Sequence, residues 1–265
     1  MRSMMQRTML AGLASALSLG LVAPSLSAQV LHVNDRWEDC AMVIAPVLTQ
    51  SAWHQFVEEA GLVTYFRPLT SAKPMGPGSF ELAALNWGTR IDDADAAWND
   101  TFSHPDATHW LFDGDALLIP GLMLRAGVTD RIDVGTYFTK AGGANYGFFG
   151  GQVQYNLLND LERRLAVATR LNYVRLFGPE DLRFGSYGLD VLASTEWSRL
   201  SPYAGVSGYW SRGSETTSKV DLEDESVFGL RGTVGLAARV SALSLGAEFN
   251  FAKVPGYSLK VGFAR

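Results

Sequence analysis

Residues 228–240 read Phe-Gly-Leu-Arg-Gly-Thr-Val-Gly-Leu-Ala-Ala-Arg-Val. Phe228, Leu230, Gly232, Val234, Leu236, Ala238 and Val240 fall on one parity, and Gly229, Arg231, Thr233, Gly235, Ala237 and Arg239 on the other. A period of two puts these sets on opposite faces of a β-strand. The same alternation runs through 149–157, 165–177, 184–197, 243–251 and 257–263, and more weakly through 79–90, 116–129, 133–140 and 203–212. That makes ten strands. Pro120 lies inside one of them and cannot donate to a ladder, so a bulge or break is expected at Pro120-Gly121.

Connections between the strands alternate in length. 129–132, 198–201 and 241–242 are short and 158–164 is intermediate, whereas 92–115, 142–146, 178–183 and 213–226 are longer; 255–256 alone departs from the pattern. Short turns at one end and longer loops at the other, with an even strand number, are features of a transmembrane barrel. Alternation alone does not say which face points outward, since a soluble barrel hides its apolar face and a membrane barrel shows it. The polar face here is Gly, Ser, Ala, Asn and Gln with isolated charges, too poor in Lys and Glu for a soluble surface. Aromatic residues cluster near strand ends, at Tyr173, Phe177, Tyr187, Trp197, Tyr209, Trp210, Tyr257 and Phe263, where interfacial girdles would lie. The expected fold is all-β, a closed antiparallel up-and-down transmembrane barrel of about ten strands over 79–265, within a range of 8–12.

Composition agrees. Of 265 residues, 18% are charged and 47% apolar, with one cysteine and a net charge of −5. The acidic balance gives nucleic-acid binding no electrostatic basis. One cysteine excludes an internal disulfide and a thiolate zinc cage. Arg2 and Arg7, the uncharged run from Met9 to Val22 and the sequence Ala-Pro-Ser-Leu-Ser-Ala at 23–28 have the layout of a signal peptide over 1–28. That run of 14 residues spans only ~21 Å, against ~30 Å of hydrocarbon. Cys40 lies too far downstream to anchor a lipoprotein.

The final strand, Tyr257-Ser-Leu-Lys-Val-Gly-Phe263, resembles the C-terminal signal of bacterial outer-membrane β-barrel proteins, although Ala264 and Arg265 follow where that signal usually ends on Phe. The resemblance is to the general class and implies outer-membrane lipid and the barrel assembly machinery as partners, and the outer membrane as location. It carries over no functional residue.

On this reading the lumen receives Glu81, Arg125, Arg170, Asp190, Glu196, Arg231, Arg239, Glu248 and Lys260, a near-balanced set that should pair. Eight strands are just filled by side chains and open channels need about 16, so ten imply a plugged or narrow lumen. The arm 29–78 carries a predicted helix over 49–60, with Gly61 as its stop and Trp53, Phe56 and Val57 as its apolar stripe. A strand-like stretch at 62–69 and a loop at 71–78 follow. The arm could sit below the barrel, fill it, or add strands.

Catalytic signals are weak. His104 and His109 lie in an Asp-rich loop with Asp92, Asp93, Asp95, Asp100, Asp106, Asp113 and Asp115, where a His–Asp pair could activate water or a divalent cation could bridge carboxylates. The spacing is not that of an EF-hand, there is no G-x-S-x-G, and the Gly pairs open no helix. No cofactor, catalytic residue or metal ligand is assigned. The expected role is a structural or surface-interaction barrel displaying loops 92–115 and 213–226. A narrow porin-like channel is the alternative and an outer-membrane hydrolase the second.

Overall fold

A computed structural model describes residues 41–92, 94–103, 116–140 and 144–265. His32, Cys40, His104 and His109, and the segment read as a signal peptide, lie outside the described residues.

Ten antiparallel strands form a closed barrel. In chain order they are β2 (Phe80–Arg90), β4 (Ala116–Gly127), β5 (Ile132–Lys140), β6 (Gly147–Asp160), β7 (Leu165–Phe177), β8 (Leu182–Thr195), β9 (Leu200–Glu215), β10 (Glu225–Val240), β11 (Leu243–Phe251) and β12 (Gly256–Ala264). Each pairs with the next, and β12 closes on β2. The closure is completed where Phe80 and Arg265 exchange both backbone hydrogen bonds at 2.9 Å. Two further strands, β1 (Ala41–Met42) and β3 (Phe102–Ser103), pair with each other outside the barrel, beside the short helix α2 (Ala96–Asn99). The connections 128–131, 161–164, 196–199 and 241–242 lie at one end, with the barrel's own first and last residues. This is the turn end; the opposite, loop end carries the longer connections 91–115, 141–146 and 216–224, while 178–181 and 252–255 there are as short as the turns.

The face assignment follows from exposure. Leu82, Leu122, Leu171, Leu230 and Val261, on five different strands, are each more than half exposed, while Arg125, Gln154, Arg170, Asp190 and Lys260 are buried inside. A continuous exposed apolar band of this size is foreign to a soluble surface and is the lipid face of a membrane barrel. Full closure leaves no open sheet edge in lipid. The described residues contain no helix long and apolar enough to cross a membrane. Crossing belongs to the strands.

The loop 213–226 shrinks to 216–224, because β9 and β10 run on beyond their alternating segments. Period-two apolarity was blind to these extensions. Above the lipid only the inward face packs, and Gly213 there meets Trp53 and Val57 of the arm.

The arm fills the lumen and adds no strand to the barrel. Helix α1 runs Gln50–Val63, three residues past the expected end. Thr49 caps its start, its side chain accepting from Ala52 N, and Thr64 closes it by donating Oγ1 to Ala60 O at 2.8 Å. Gly61 is therefore not a stop. A Cβ at that position would fall inside the Ser211 hydroxyl and against the Tyr209 ring, so glycine serves close approach of the helix to β9. The stretch 62–69 completes the helix and then runs irregularly rather than as a strand.

Candidate functional site

The inward face has two layers. Toward the loop end it is apolar. Leu117, Ile119, Phe148, Leu176 and Phe184 from the wall pack with Trp53, Phe56 and Val57 of α1 and with Trp98 and Phe102 above. Helix α1 supplies this layer because its apolar residues recur at three- and four-residue spacing. Phe56 stacks on Trp53 at 5.6 Å and meets Trp98 edge-on at 5.2 Å. Glu59 is buried within the layer and accepts from Trp98 Nε1 at 2.6 Å and Gln55 Nε2 at 3.0 Å. At the helix start, His54 Nδ1 lies 2.7 Å from Glu225 Oε2 and Gln50 Nε2 donates to Glu225 Oε1 at 2.5 Å, which docks α1 on β10.

Below this layer the lumen is polar, and residues 64–75 descend through it. Tyr65 Oη donates to Asp190 Oδ1 at 2.5 Å. Arg67 lies 5.9 Å from the Trp87 ring and donates to Leu62 O at 2.5 Å. Arg170 grips the arm from β7, its Nη2 reaching Thr70 O at 2.7 Å and Ser71 O at 3.1 Å. Asn156 Nδ2 donates to Ala72 O at 3.0 Å, and Asp133 accepts from Met75 N at 3.0 Å. The chain leaves the lumen at the turn end, where Gly78 N donates to Gly127 O. Leu69 bends the descent with φ +51, a conformation that costs a non-glycine residue ~1–2 kcal/mol, and complete burial holds it there.

The charges on one side of the wall join into a network. Lys260 Nζ meets Glu81 Oε1 at 2.6 Å, Ser244 Oγ donates to the same oxygen at 2.5 Å, and Arg125 spans Glu81 and Asp133 at 3.3 and 3.4 Å. Gln154 donates to Asp133 at 3.3 Å and accepts from Arg170 Nε at 2.7 Å. On the opposite wall Tyr203 Oη donates to Glu248 Oε2 at 2.8 Å, and the Arg231 guanidinium lies 4.0 Å from the Tyr65 ring centroid. Ion pairing offsets the burial of Glu81, Arg125, Asp133 and Lys260, whereas Arg231 Nε and Nη1 and Glu248 Oε1 are buried without a hydrogen-bond partner among the described residues.

Of the nine charges expected in the lumen, Glu81, Arg125, Arg170, Asp190, Arg231, Glu248 and Lys260 are buried there. Two are not. Glu196 sits partly exposed at the turn end, paired with Lys73 at 2.9 Å, and Arg239 is exposed beside the turn 241–242, its Nε reaching Ser241 O at 3.4 Å. Both have inward parity, but their strand ends project past the filled lumen. Asp133, Tyr65, Arg67 and Tyr203 join the buried set and were absent from the sequence reading. Asp133 lies at the very start of β5, where alternation is hardest to read. Tyr203 shares the inward parity of Tyr209 on β9. Tyr65 and Arg67 are legible only once the arm is known to lie inside.

In the aromatic girdle, Trp197, Trp210, Tyr187, Tyr257, Phe177 and Phe263 are exposed on the outer face, and Tyr173 is half-buried against Tyr187 at 4.9 Å. Tyr209 is a correction. It precedes Trp210, so it must face inward, where it is buried against Tyr65 at a ring distance of 6.5 Å. Of the acidic loop, Asp95 caps α2 and Asp92 accepts from Ala94 N. Among the described residues, no group of three His, Cys, Asp or Glu is placed to hold a metal ion.

The chain is a small transmembrane β-barrel of the outer-membrane kind. No protein-family model matches it, and no curated protein matches it. Among solved structures, an outer membrane channel from Pseudomonas putida is similar at 12% identity over 76% of this chain and 99% of that one, with a TM-score of 0.44. LpxR from Salmonella typhimurium is similar at 11% identity, 70% and 99% coverage and a TM-score of 0.36. Ail, the attachment invasion locus protein of Yersinia pestis, is similar at 12% identity, 71% and 99% coverage and a TM-score of 0.31.

Proposed function

We propose that the protein is a bacterial outer-membrane barrel sealed along its axis by its own N-terminal arm, a surface-interaction scaffold rather than a diffusion pore. The observation that carries this reading is the descent of residues 64–75 through the lumen. Wall residues of β5, β6, β7 and β8 hydrogen-bond to it along the way, through Asp133, Asn156, Arg170 and Asp190. A porin interior leaves a water column; here that volume is occupied by protein. The loop end, built from α1, α2, β1, β3 and the extended β9–β10 hairpin, faces the cell exterior in this orientation, and the turn end faces the periplasm.

Two measurements test it. Liposomes carrying the barrel should not swell in small sugars, and swelling at the rate of an open porin would contradict sealing. An epitope placed in 216–224 should be reached by antibody on intact cells, and protection there would contradict the orientation.

A further inference from the structure

The outer face changes character along β7, β8 and β9 as it approaches the loop end. The ladders align these strands in rows. Leu171, Leu189 and Gly208 share one row, Tyr173, Tyr187 and Trp210 the next, and Arg175, Gly185 and Arg212 the one after. Successive rows lie two residues apart, about 7 Å along the strand. Arg183, one step further along β8, stands above Gly185 on the same face. Aliphatic, aromatic and cationic rows therefore follow one another from the lipid toward the loop end. Tyr and Trp rings settle at the headgroup level of a bilayer, so the arginines one row beyond them meet the headgroups themselves.

These arginines are unpartnered. Arg175, Arg183 and Arg212 are exposed, and the outer face of their three strands carries no carboxylate. Among the described residues, none of the three guanidiniums has a hydrogen bond or an ion pair. Cations inside the barrel differ, as Arg125 and Lys260 both pair with Glu81. Acids near the loop end are engaged elsewhere, Asp181 with Lys219 at 2.6 Å and Glu225 with Gln50 at 2.5 Å. Gly185 leaves a notch between the arginines. A Cβ there would meet only the Val174 carbonyl at 3.3 Å and the Tyr173 ring at 4.0 Å. Arg175 and Arg212 flank it from the neighbouring strands, two strand spacings or about 10 Å apart at the backbone. Two long side chains can close on one group seated between them.

We propose that Arg175, Arg183 and Arg212 bind the phosphate of an outer-leaflet lipid, seated over Gly185, with its acyl chains running down over Tyr187 and Leu189. Guanidiniums match phosphate with paired, charge-assisted hydrogen bonds. Three unpaired cations exceed the single charge of a phosphodiester, whereas a phosphate monoester carries about 1.5 to 2 negative charges at neutral pH. The lipid is therefore one with a monoester phosphate rather than a zwitterionic phospholipid. The leaflet rests on the proposed orientation, with the loop end outward; the anion chemistry does not.

The test uses the full barrel in neutral detergent and reads lipid retention by native mass spectrometry. The probe is a diglucosamine lipid bearing monoester phosphates, with its dephosphorylated form as reference. Wild type should retain the phosphorylated form about tenfold better or more. Arg175→Ala with Arg212→Ala should abolish most of that preference. Gly185→Leu, which fills the notch and keeps every charge, should weaken it. Arg131→Ala with Arg199→Ala removes the same charge from exposed positions at the turn end and should leave it unchanged. Each variant's closure is checked by its unboiled gel mobility. Equal retention of the two lipids by the closed wild-type barrel overturns the site. Equal loss in the rim and turn-end variants also overturns it, because the attraction is then net charge alone. Full competition by inorganic phosphate at the concentration of the lipid phosphate overturns the lipid as occupant in favour of the free anion. Protection of an epitope in 216–224 on intact cells would instead overturn the orientation, and with it the outer leaflet, while the binding preference would stand.

Discussion

Tyr65 Oη lies 2.5 Å from Asp190 Oδ1, and Asn172 Nδ2 reaches both, at 3.2 Å from the phenol and 2.9 Å from the second carboxylate oxygen. This contact ties the arm to the β8 wall deep in the lumen. Gly188, two residues before Asp190 on the same face of β8, has no side chain because a Cβ would occupy the Tyr65 ring. Tyr65→Phe keeps the ring and removes one hydrogen bond to a buried charged group, at a cost of ~1.5–3 kcal/mol. We expect the temperature at which the fast-migrating gel form converts to the slow one to fall. Tyr187→Phe on the lipid face should leave it unchanged.

Glu81 holds Lys260 and Arg125 together, with side chains almost fully buried. Removing one member of such a pair leaves an uncompensated charge, worth ~3–5 kcal/mol. Lys260→Met should therefore destabilise the barrel strongly in a urea titration in lipid. Combining it with Glu81→Gln should cost less than the sum of the two single changes. Additive costs would show that the two side chains are not coupled.

Gly61→Ala is normally helix-stabilising, because alanine loses less backbone entropy. Here the added carbon collides with the Ser211 hydroxyl and the Tyr209 ring. The predicted sign is reversed, with increased proteolysis of 41–63 at the loop end. Partial recovery is expected with Ser211→Ala.

Asp181 accepts from the Ile44 amide at 3.0 Å and pairs with Lys219 at 2.6 Å, tethering the start of the arm to the loop before β8. Burial alone would raise its carboxyl, but the Lys219 and Ile44 hydrogen bonds outweigh it and hold the group below the usual carboxylate range. A carboxyl lowered in the folded state adds stability that is present above the usual range and lost as pH falls through the lowered value. Hydrogen exchange at Ile44 should stay protected at neutral pH, after correction for intrinsic rates, and lose protection on acidification. Asp181→Asn should flatten that dependence.

The barrel was legible because lipid enforces a strict rule on every crossing strand. Alternation at 228–240 and 184–197 marks both faces, and the connections mark both ends. Two kinds of feature escaped. Where strands leave the lipid, as at 211–215, the outer face no longer needs to be apolar and the period fades. Where the arm meets the wall, the partners are more than a hundred residues apart, as with Tyr65 and Asp190. Local pattern placed Asp190 in the lumen but could not show what it grips. The bulge or break expected at Pro120-Gly121 does not occur: β4 is continuous from Ala116 to Gly127 and pairs with β2 in unbroken register, and the proline's missing N–H faces β5, where the ladder ends at Leu122 and Phe138.

Sealing by the arm is tested most directly by planar-bilayer recording on the purified barrel. The wild-type barrel should give a quiet baseline with no stable single-channel steps. A variant with Tyr65, Arg67 and Thr70 changed to alanine, closed by its gel mobility, should give fluctuating openings as the arm loosens. Stable steps from the wild-type protein, unchanged by those substitutions, would contradict the account.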